Sequence, residues 1–191
     1  MKELILIRHG ATPGNLARRY IGRTDEPLCP EGEVQARALA SEHFDPDAVL
    51  VSPALRARQT AALAFPGLPA TVVPELMECD FGAFENRTAD ELSGDPAYRT
   101  WVDGQCLGPI PGGESVADFK ARVCAAFQKE AAALPDGSRA TIVIHGGCIM
   151  AILEAFALPR RSFYEYHVGN CGWVRCTLEG EILRITGGSL C

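Results

Sequence analysis

Three short apolar runs constrain the fold of this chain more than any other feature. They cover residues 4–7, 48–51 and 141–144, and each is rich in leucine or β-branched side chains and is bounded by loop residues. Runs of this length and composition are typical of buried parallel strands. Apolar residues at helical spacing follow Pro30 and recur from Val116 to Leu134. The alternation predicts an α/β fold of three layers, with helices on both faces of a mostly parallel central sheet.

Two further runs near the C-terminus predict strands of a different kind. Residues 171–178 and 182–186 are joined by a short connection that contains Gly180. Glycine readily adopts the positive φ that tight turns require. We therefore expect a C-terminal antiparallel hairpin at the edge of the sheet.

The length of the chain favours a single domain. With 191 residues, of which 47% are hydrophobic, it can bury one substantial core, so we assign residues 1–191 to one domain. Residues 84–113 differ from the rest because glycine and proline interrupt any long periodicity, which predicts a partly helical, lid-like insertion. Phe84, Tyr98 and Trp101 fall in this segment, and their size favours packing over contact with a substrate.

The composition excludes several classes of partner. A net charge of −6 and a pI near 5.2 leave no basic surplus for binding nucleic acid. The apolar start of the chain is too short for a signal sequence or a membrane span, so we expect a cytoplasmic protein without a membrane partner. The eight cysteines are scattered and form no Cys-x-x-Cys pair, which favours free thiols over a disulfide scaffold or a metal site. The sequence does not predict an oligomeric state.

Polar side chains follow the first and third predicted strands. Arg8 and His9 end the first strand, and Asn15 lies shortly beyond it. His145 and Gly146 end the third strand and precede a helical pattern over residues 148–158. Glycine at such a point lets a phosphate group approach backbone N–H groups at the start of a helix.

The second predicted strand ends in Ser52 and Pro53, which are typical of a helix N-cap followed by proline at the first helical position. Arg56 then lies in the opening turn of the predicted helix, at a corner between strand and helix. Ligands of α/β folds bind beyond the carboxyl ends of the strands, and all three strands deliver a group there that suits phosphate. We interpret Arg58, His43 and His167 as solvent-facing or structural.

Phosphoryl transfer at such an edge would also need an acid. Glu75, Glu78 and Asp80 follow residues 71–73, and their spacing alone does not distinguish between them.

As an ordered set, these motifs resemble those of the histidine phosphatase superfamily, also described as phosphoglycerate mutase-like. The resemblance extends over nearly the whole chain. It includes two further motifs, one over residues 78–82 and one over residues 111–115. Alanine at position 11, which is often acidic in the family, and Asn86, where many relatives have glycine, are minor departures.

The resemblance implies a role for each matched residue. His9 would become phosphohistidine, Glu78 would donate the proton, and no metal ion or cofactor would be needed. The remaining implied residues bind or admit the small phosphorylated substrate: Arg8, Arg56 and His145 as a phosphoryl clamp, Asn15 and Gly146 in the phosphate pocket, and Glu114 and Ser115 at the start of a helix near the substrate entrance.

Within the family, the chain looks most like the alpha-ribazole phosphatases and related bacterial phosphatases of small molecules. The resemblance therefore implies hydrolysis of a phosphomonoester, with alpha-ribazole 5'-phosphate as a candidate substrate. Two alternatives remain: phosphoryl transfer of the phosphoglycerate mutase type, and a protein that binds a phosphorylated ligand without catalysis.

Overall fold

The computed structural model describes residues 1–190, which fold around one mixed sheet of seven strands. The strands lie in the order β3-β2-β4-β1-β6-β7-β5. Their bounds are β1 Lys2–Arg8, β2 Ala48–Val51, β3 Ala70–Val72, β4 Arg139–Ile144, β5 Ala157–Leu158, β6 Trp173–Glu179 and β7 Ile182–Gly188. The predicted α/β class with a mostly parallel sheet is confirmed.

Strand β1 lies in the middle of the sheet. It pairs in parallel with β4, which in turn pairs in parallel with β2, and it pairs in antiparallel fashion with β6. Strands β6 and β7 form the predicted antiparallel hairpin. The two-residue strand β5 flanks β7, and the short strand β3 forms the opposite edge. The sequence pattern did not predict either of these short strands.

Seven helices accompany the sheet in the described part of the chain. Their bounds are α1 Pro13–Leu16, α2 Pro30–Ala38, α3 Leu55–Ala64, α4 Ala89–Leu92, α5 Pro96–Asp103, α6 Val116–Ala133 and α7 Gly146–Phe156. Short 3-10 turns cover Leu39–Glu42, Pro74–Leu76, Gly82–Phe84 and Phe163–Tyr166.

Alternate residues of β1 point to opposite faces of the sheet, as the pleat requires. Leu4 and Leu6 join the larger core, which also contains residues of α6 and α7. Ile5 and Ile7 join a smaller core with residues of α3. Helices therefore cover both faces, which explains why the whole of residues 4–7 is apolar.

Two predicted helix boundaries were wrong. Helix α3 begins at Leu55 with Ala54 at its N-cap, not at Ser52 and Pro53, because the Ser52 hydroxyl is bound to His145 instead. The helix predicted over residues 148–158 begins earlier and ends at Phe156, since the next two residues pair with β7 as strand β5.

Residues 84–113 contain α4 and α5 and contribute large side chains to the core. Phe84, Leu92, Tyr98, Trp101 and Ile110 all belong to the larger hydrophobic cluster. Packing of the three aromatic residues is therefore confirmed, whereas a lid function for this segment stays a prediction.

The seven cysteines that fall within the described residues have free thiols. No helix between residues 1 and 190 is long and apolar enough to cross a membrane.

Candidate active site

A cleft of about 350 Å³ opens at the sheet edge where β1 and β4 end. His9 directly follows β1, and Gly146 lies shortly after the end of β4. Both residues line the cleft, together with Glu78 and Asn15. The backbone N–H of His9 donates to the Ile144 carbonyl at 2.9 Å. The parallel pairing of β1 and β4 therefore brings two distant histidine segments side by side.

His9 is buried and its ring is held in one orientation. Its Nδ1 lies 2.8 Å from the carbonyl oxygen of Gly10, and only a protonated Nδ1 can donate to that oxygen. The other nitrogen, Nε2, accepts from Nε of Arg56 at 3.3 Å. The neutral tautomer with a lone pair on Nε2 is thus selected by the two contacts.

Arg56 is fully buried, and its guanidinium is held by backbone carbonyls. Nη1 donates to the carbonyl oxygen of Thr24 at 2.9 Å and Nη2 to that of Gly22 at 2.9 Å. Glu85 in turn binds the backbone N–H groups of residues 22–24 and so stabilises this turn. The cation beside His9 is therefore positioned by a rigid loop.

His145 lies against His9, with ring centroids 5.1 Å apart and an edge-on angle of 67°. Its Nε2 is 2.7 Å from the Ser52 hydroxyl. Its Nδ1 is buried and has no hydrogen-bond partner among residues 1–190. A buried nitrogen of this kind is costly unless a ligand engages it.

Burial lowers the pKa of both histidines well below the usual value of 6.5, and the Arg56 guanidinium adds to the effect. Protonation of either ring would place a further positive charge next to an arginine without water to solvate it. Both imidazoles are therefore neutral near pH 7, which leaves Nε2 of His9 able to act as a nucleophile.

Of the three carboxylates left open by spacing, Glu78 lines the cleft together with His9, whereas Glu75 and Asp80 are not among the lining residues. Glu78 is 8% exposed, whereas Glu75 lies on the surface. Its Oε1 accepts from the N–H of Cys79 at 3.0 Å and its Oε2 from that of Gly147 at 2.9 Å. A Cβ at Gly147 would overlap this carboxylate, so the close approach requires glycine.

Burial raises the pKa of Glu78 above its usual value of 4.5, although the two backbone N–H groups and Arg56 act in the opposite direction. A raised carboxyl pKa near a neutral histidine is the pattern expected for an acid and a nucleophile that work in sequence.

Arg8 and Asn15 complete the polar end of the cleft. Nη1 of Arg8 donates to the carbonyl oxygen of Val168 at 2.8 Å and lies 3.4 Å from Nε2 of His167. The Asn15 Oδ1 accepts from Asn170 at 3.0 Å. Five of the predicted residues therefore line the cleft, namely Arg8, His9, Asn15, Glu78 and Gly146. Arg56 and His145 are fully buried and reach the cleft only through their contacts with His9. The roles of all seven stay predictions.

Glu114 and Ser115 lie outside the cleft lining. Ser115 is the N-cap of α6 and accepts from the N–H of Asp118 at 3.0 Å. Glu114 forms an ion pair with Arg122 at 2.7 Å. The next residue, Val116, does line the cleft, so this helix start is near the cleft, and a role in substrate entry stays a prediction.

Sequence reasoning missed several supporting residues. Ser52 holds His145, the Thr60 hydroxyl accepts from the N–H of Gly10 at 3.0 Å, and Asn170 donates to the carbonyl oxygen of His9 at 3.2 Å. Asn170 immediately precedes the region where antiparallel β6 enters the sheet. The start of an antiparallel strand meets the ends of parallel ones at the same edge, and that rule could have identified the segment.

Arg58 and His43 are exposed, as predicted. His167 is exposed as well but lies at the cleft next to Arg8. Among residues 1–190, no three histidine, cysteine or acidic side chains are grouped so that they could hold a metal ion.

Comparison with known proteins defines the class. Residues 4–187 match the histidine phosphatase superfamily (branch 1). The chain therefore belongs to this superfamily, and the resemblance seen in its motifs is confirmed.

Individual relatives differ in their named activities. The chain is 34% identical over 180 residues to a probable phosphoglycerate mutase GpmB of Enterobacter sp. (strain 638), covering 90% of this chain and 82% of the relative. Its structure is similar to the alpha-ribazole phosphatase of Shigella flexneri, with a TM-score of 0.87, 26% identity and coverage of 99% and 96%. It is also similar to the phosphoserine phosphatase of Entamoeba histolytica in complex with 3-phosphoglyceric acid, with a TM-score of 0.84, 26% identity and coverage of 99% and 97%.

Proposed function

We propose that this protein hydrolyses a small phosphorylated metabolite through a phosphohistidine at His9. The observation that carries the proposal is the buried His9 ring, whose Nδ1 is bound to the Gly10 carbonyl while Nε2 faces Arg56. The Gly10 contact fixes the ring and keeps the lone pair on Nε2 before substrate arrives, and the Arg56 N–H moves from that lone pair to a phosphoryl oxygen when Nε2 attacks.

In the first step, Nε2 of His9 forms a bond to phosphorus as the ester P–O bond breaks. Arg8 and Arg56 stabilise the charge on the equatorial phosphoryl oxygens. We assign the Ser52 hydroxyl as the donor to Nε2 of His145, which leaves the ring proton on the unpartnered Nδ1 as a further donor to the phosphoryl group.

Glu78 donates a proton in the first step and accepts one in the second. Its carboxyl group protonates the departing alkoxide, and the resulting carboxylate then takes a proton from a water molecule that attacks phosphorus. The N–P bond breaks, inorganic phosphate leaves, and His9 returns to its neutral form. No step requires a metal ion, so activity is expected to persist in excess chelator.

The central test is replacement of the proposed nucleophile. We expect His9→Ala to abolish release of phosphate, and wild-type protein incubated with labelled substrate to yield an acid-labile, base-stable phosphoenzyme. His43→Ala, which alters an exposed histidine, serves as the control and is expected to retain both properties. Full activity of the His9 variant would end the proposal.

A second prediction addresses Glu78. Glu78→Gln is expected to slow hydrolysis of primary alkyl phosphates by about 10²- to 10⁴-fold but that of p-nitrophenyl phosphate much less. Only the poor leaving group depends on protonation. Parallel measurement of kcat on both esters checks this, and an equal loss on the two would exclude Glu78 as the acid.

Alpha-ribazole 5'-phosphate is our candidate substrate, supported by the structural similarity to an alpha-ribazole phosphatase. Mutase-type phosphoryl transfer is the alternative, supported by relatives with that name. A screen of alpha-ribazole phosphate, phosphoglycerates and sugar phosphates distinguishes them. A phosphatase releases inorganic phosphate, and a mutase exchanges the group between two positions of phosphoglycerate. A protein that only binds phospholigands would show neither reaction.

A further inference from the structure

The part of the cleft beyond its polar end is lined by apolar side chains. They come from several separate segments of the chain: Tyr20, Phe81, Ile110, Val116, Met150 and Phe163. In the proposed reaction the phosphoryl group occupies the end that contains His9, so this apolar surface faces the organic portion of the substrate. Transfer of an apolar group from water to such a surface is favourable in proportion to the area buried.

The wall around Tyr20 is preformed. Its ring contacts those of Phe81 and Trp101, with centroids 5.3 and 5.7 Å apart. Its hydroxyl is 2.9 Å from that of Tyr98, so the polar atom is already engaged. The face of the Tyr20 ring that lines the cleft is apolar. Because the ring is already held by its neighbours, little conformational entropy is lost when a ligand binds.

Arg8 lies at the polar end of the cleft, where it is assigned to the phosphoryl group, and the other cations near the apolar surface are paired or uncharged. Lys120, whose Nζ is 4.2 Å from the centroid of the Phe163 ring, is paired with Glu154. Arg19 lines the cleft, but its two terminal nitrogens bind both carboxylate oxygens of Glu91 at 2.9 and 3.0 Å, and Nη1 also donates to the Asn86 carbonyl. Burial and the nearby Arg8 lower the pKa of His167, which favours its neutral form near pH 7.

We propose that the cleft selects phosphate esters whose organic portion is uncharged and carries an apolar group about the size of one ring. It would discriminate against esters that also carry a carboxylate, such as phosphoglycerate or phosphoserine. A carboxylate placed against these side chains would lose its hydration without gaining a partner cation. The inference rests on the proposed function and specifies its substrate class.

Three primary alkyl esters test the selectivity: 3-phenylpropyl phosphate, glycerol 3-phosphate and 3-phosphoglycerate. Their leaving groups are chemically similar, so differences in kcat/KM report recognition of the organic portion. We expect the phenylpropyl ester to exceed glycerol phosphate by about ten- to a hundredfold, and 3-phosphoglycerate to be the slowest. A kcat/KM for 3-phosphoglycerate equal to or above that of the phenylpropyl ester would overturn the inference.

A binding measurement separates this inference from the proposed function. If no ester, including p-nitrophenyl phosphate, is hydrolysed, then the proposed function fails. Calorimetry with 3-phenylpropylphosphonate and 3-phosphonopropionate still tests the cleft. Tighter binding of the phenylpropyl compound supports the inference, and equal or weaker binding refutes it.

A variant locates the effect in the cleft. Phe163→Ala removes a ring that lines it and is expected to lower kcat/KM for the phenylpropyl ester about five- to tenfold while leaving glycerol phosphate within about twofold. The control Val34→Ala trims an apolar side chain on the exposed surface of α2 and is expected to change neither value. Equal loss on both esters in the Phe163 variant would contradict the assignment.

A separate observation concerns Arg122, which lies on α6 outside the cleft. Its Nη1 donates to the carbonyl oxygens of Glu75 and Met77 at 2.5 and 2.9 Å, and Nη2 to that of Glu78 at 3.4 Å. Nε and Nη2 bind the Glu114 carboxylate at 2.8 and 2.7 Å. One guanidinium therefore binds three backbone carbonyls within the four residues that end at Glu78.

From these contacts we infer that Arg122, held by Glu114, is a positioning residue for Glu78. It fixes the backbone of residues 75–78 so that the carboxylate meets the N–H of Gly147. Lysine cannot reproduce the forked geometry, although it keeps the charge.

A double-mutant cycle tests this role. Arg122→Lys is expected to lower kcat for 3-phenylpropyl phosphate about tenfold and to leave kcat for p-nitrophenyl phosphate within about twofold of the wild-type value. In a Glu78→Gln background the same substitution is expected to cause no further loss of kcat. Arg175→Lys, which alters an arginine paired with Glu3 at 3.3 Å, is the control. If Arg122→Lys does not fold, Glu114→Gln tests the same arrangement. Equal loss on both esters, or additive losses, would refute the positioning role.

Discussion

At the scale of single residues, His9 and Glu78 have pKa values shifted in opposite directions by the same cause. Burial lowers the pKa of His9 and raises that of Glu78, because each group avoids its charged form in a site with little water. The outcome is a neutral base beside a carboxyl group that retains its proton to higher pH than usual. This pairing suits attack by one group and proton donation by the other.

The opposite shifts predict the pH dependence of kcat/KM for a primary alkyl phosphate. We expect a bell whose acidic limb, from protonation of His9, lies below the usual histidine value of 6.5. The alkaline limb, from ionisation of Glu78, lies above 4.5. Glu78→Gln is expected to remove the alkaline limb only. Ionisation of the substrate is common to both proteins, so an unchanged alkaline limb in the variant would assign it to another group.

At the scale of secondary-structure elements, the order β4-β1-β6 explains how the candidate site is assembled. Parallel β1 and β4 deliver His9 and His145 to one edge, and antiparallel β6 starts where they end. Cys171, just before β6, donates its N–H to the carbonyl oxygen of His9 at 3.2 Å. The segments that follow β1 and β4 and the segment that precedes β6 therefore meet at one edge of the sheet.

Helix α6 yields a prediction at this scale. Ser115→Ala removes the N-cap of the helix and is expected to lower the free energy of unfolding by about 1 kcal/mol, with kcat/KM nearly unchanged since Ser115 does not line the cleft. Ser115→Thr keeps the cap and should restore most of the stability. Urea unfolding and steady-state kinetics measure the two effects, and a large loss of kcat/KM with unchanged stability would instead favour a role in substrate entry.

At the scale of the whole molecule, two hydrophobic cores sit on opposite faces of one sheet, and the candidate site lies at the edge where both end. His9 and His145 are consequently buried as neutral groups in the folded protein. In the unfolded chain the pKa of both residues returns to the ordinary histidine value. Stability is therefore coupled to pH through residues of the site itself.

We expect the free energy of unfolding to fall as the pH drops from 7 to 5. Below about 6.5 the unfolded chain binds a proton at each of His9 and His145 that the folded protein does not, which costs up to about 1.4 kcal/mol per pH unit for each. Glu78 acts in the opposite sense, because its folded pKa is raised and its contribution to stability decreases as the pH rises above 4.5. Glu78→Gln should therefore steepen the fall.

Urea unfolding at pH 7, 6 and 5 measures this dependence. The control His43→Gln changes an exposed histidine and is expected to follow the wild-type curve. Because Glu78 opposes the histidines, the decisive curve is that of Glu78→Gln: a free energy of unfolding that is constant over this range in that variant would show that the two site histidines are not buried as neutral groups.

Local patterns were sufficient to predict the class of fold and to identify most of the candidate site residues that the structure brings together. Residues 4–7 are continuously apolar because both faces of β1 are covered, and a buried parallel strand leaves that signature in any sequence. Polar groups directly after such strands are expected at the carboxyl edge of the sheet. The choice of Glu78 over Glu75 and Asp80, in contrast, came from the family resemblance and agrees with its burial.

Tertiary structure alone decided which distant side chains support the site. Ser52 reads as an N-cap in sequence but binds His145, and Arg122 reads as one more polar residue of a helix although it holds the segment of Glu78. Such contacts depend on how loops pack after the sheet has formed, and no spacing along the chain encodes them. The apolar lining of the cleft has the same origin, because its side chains converge from segments that are far apart in sequence and meet only in the folded protein.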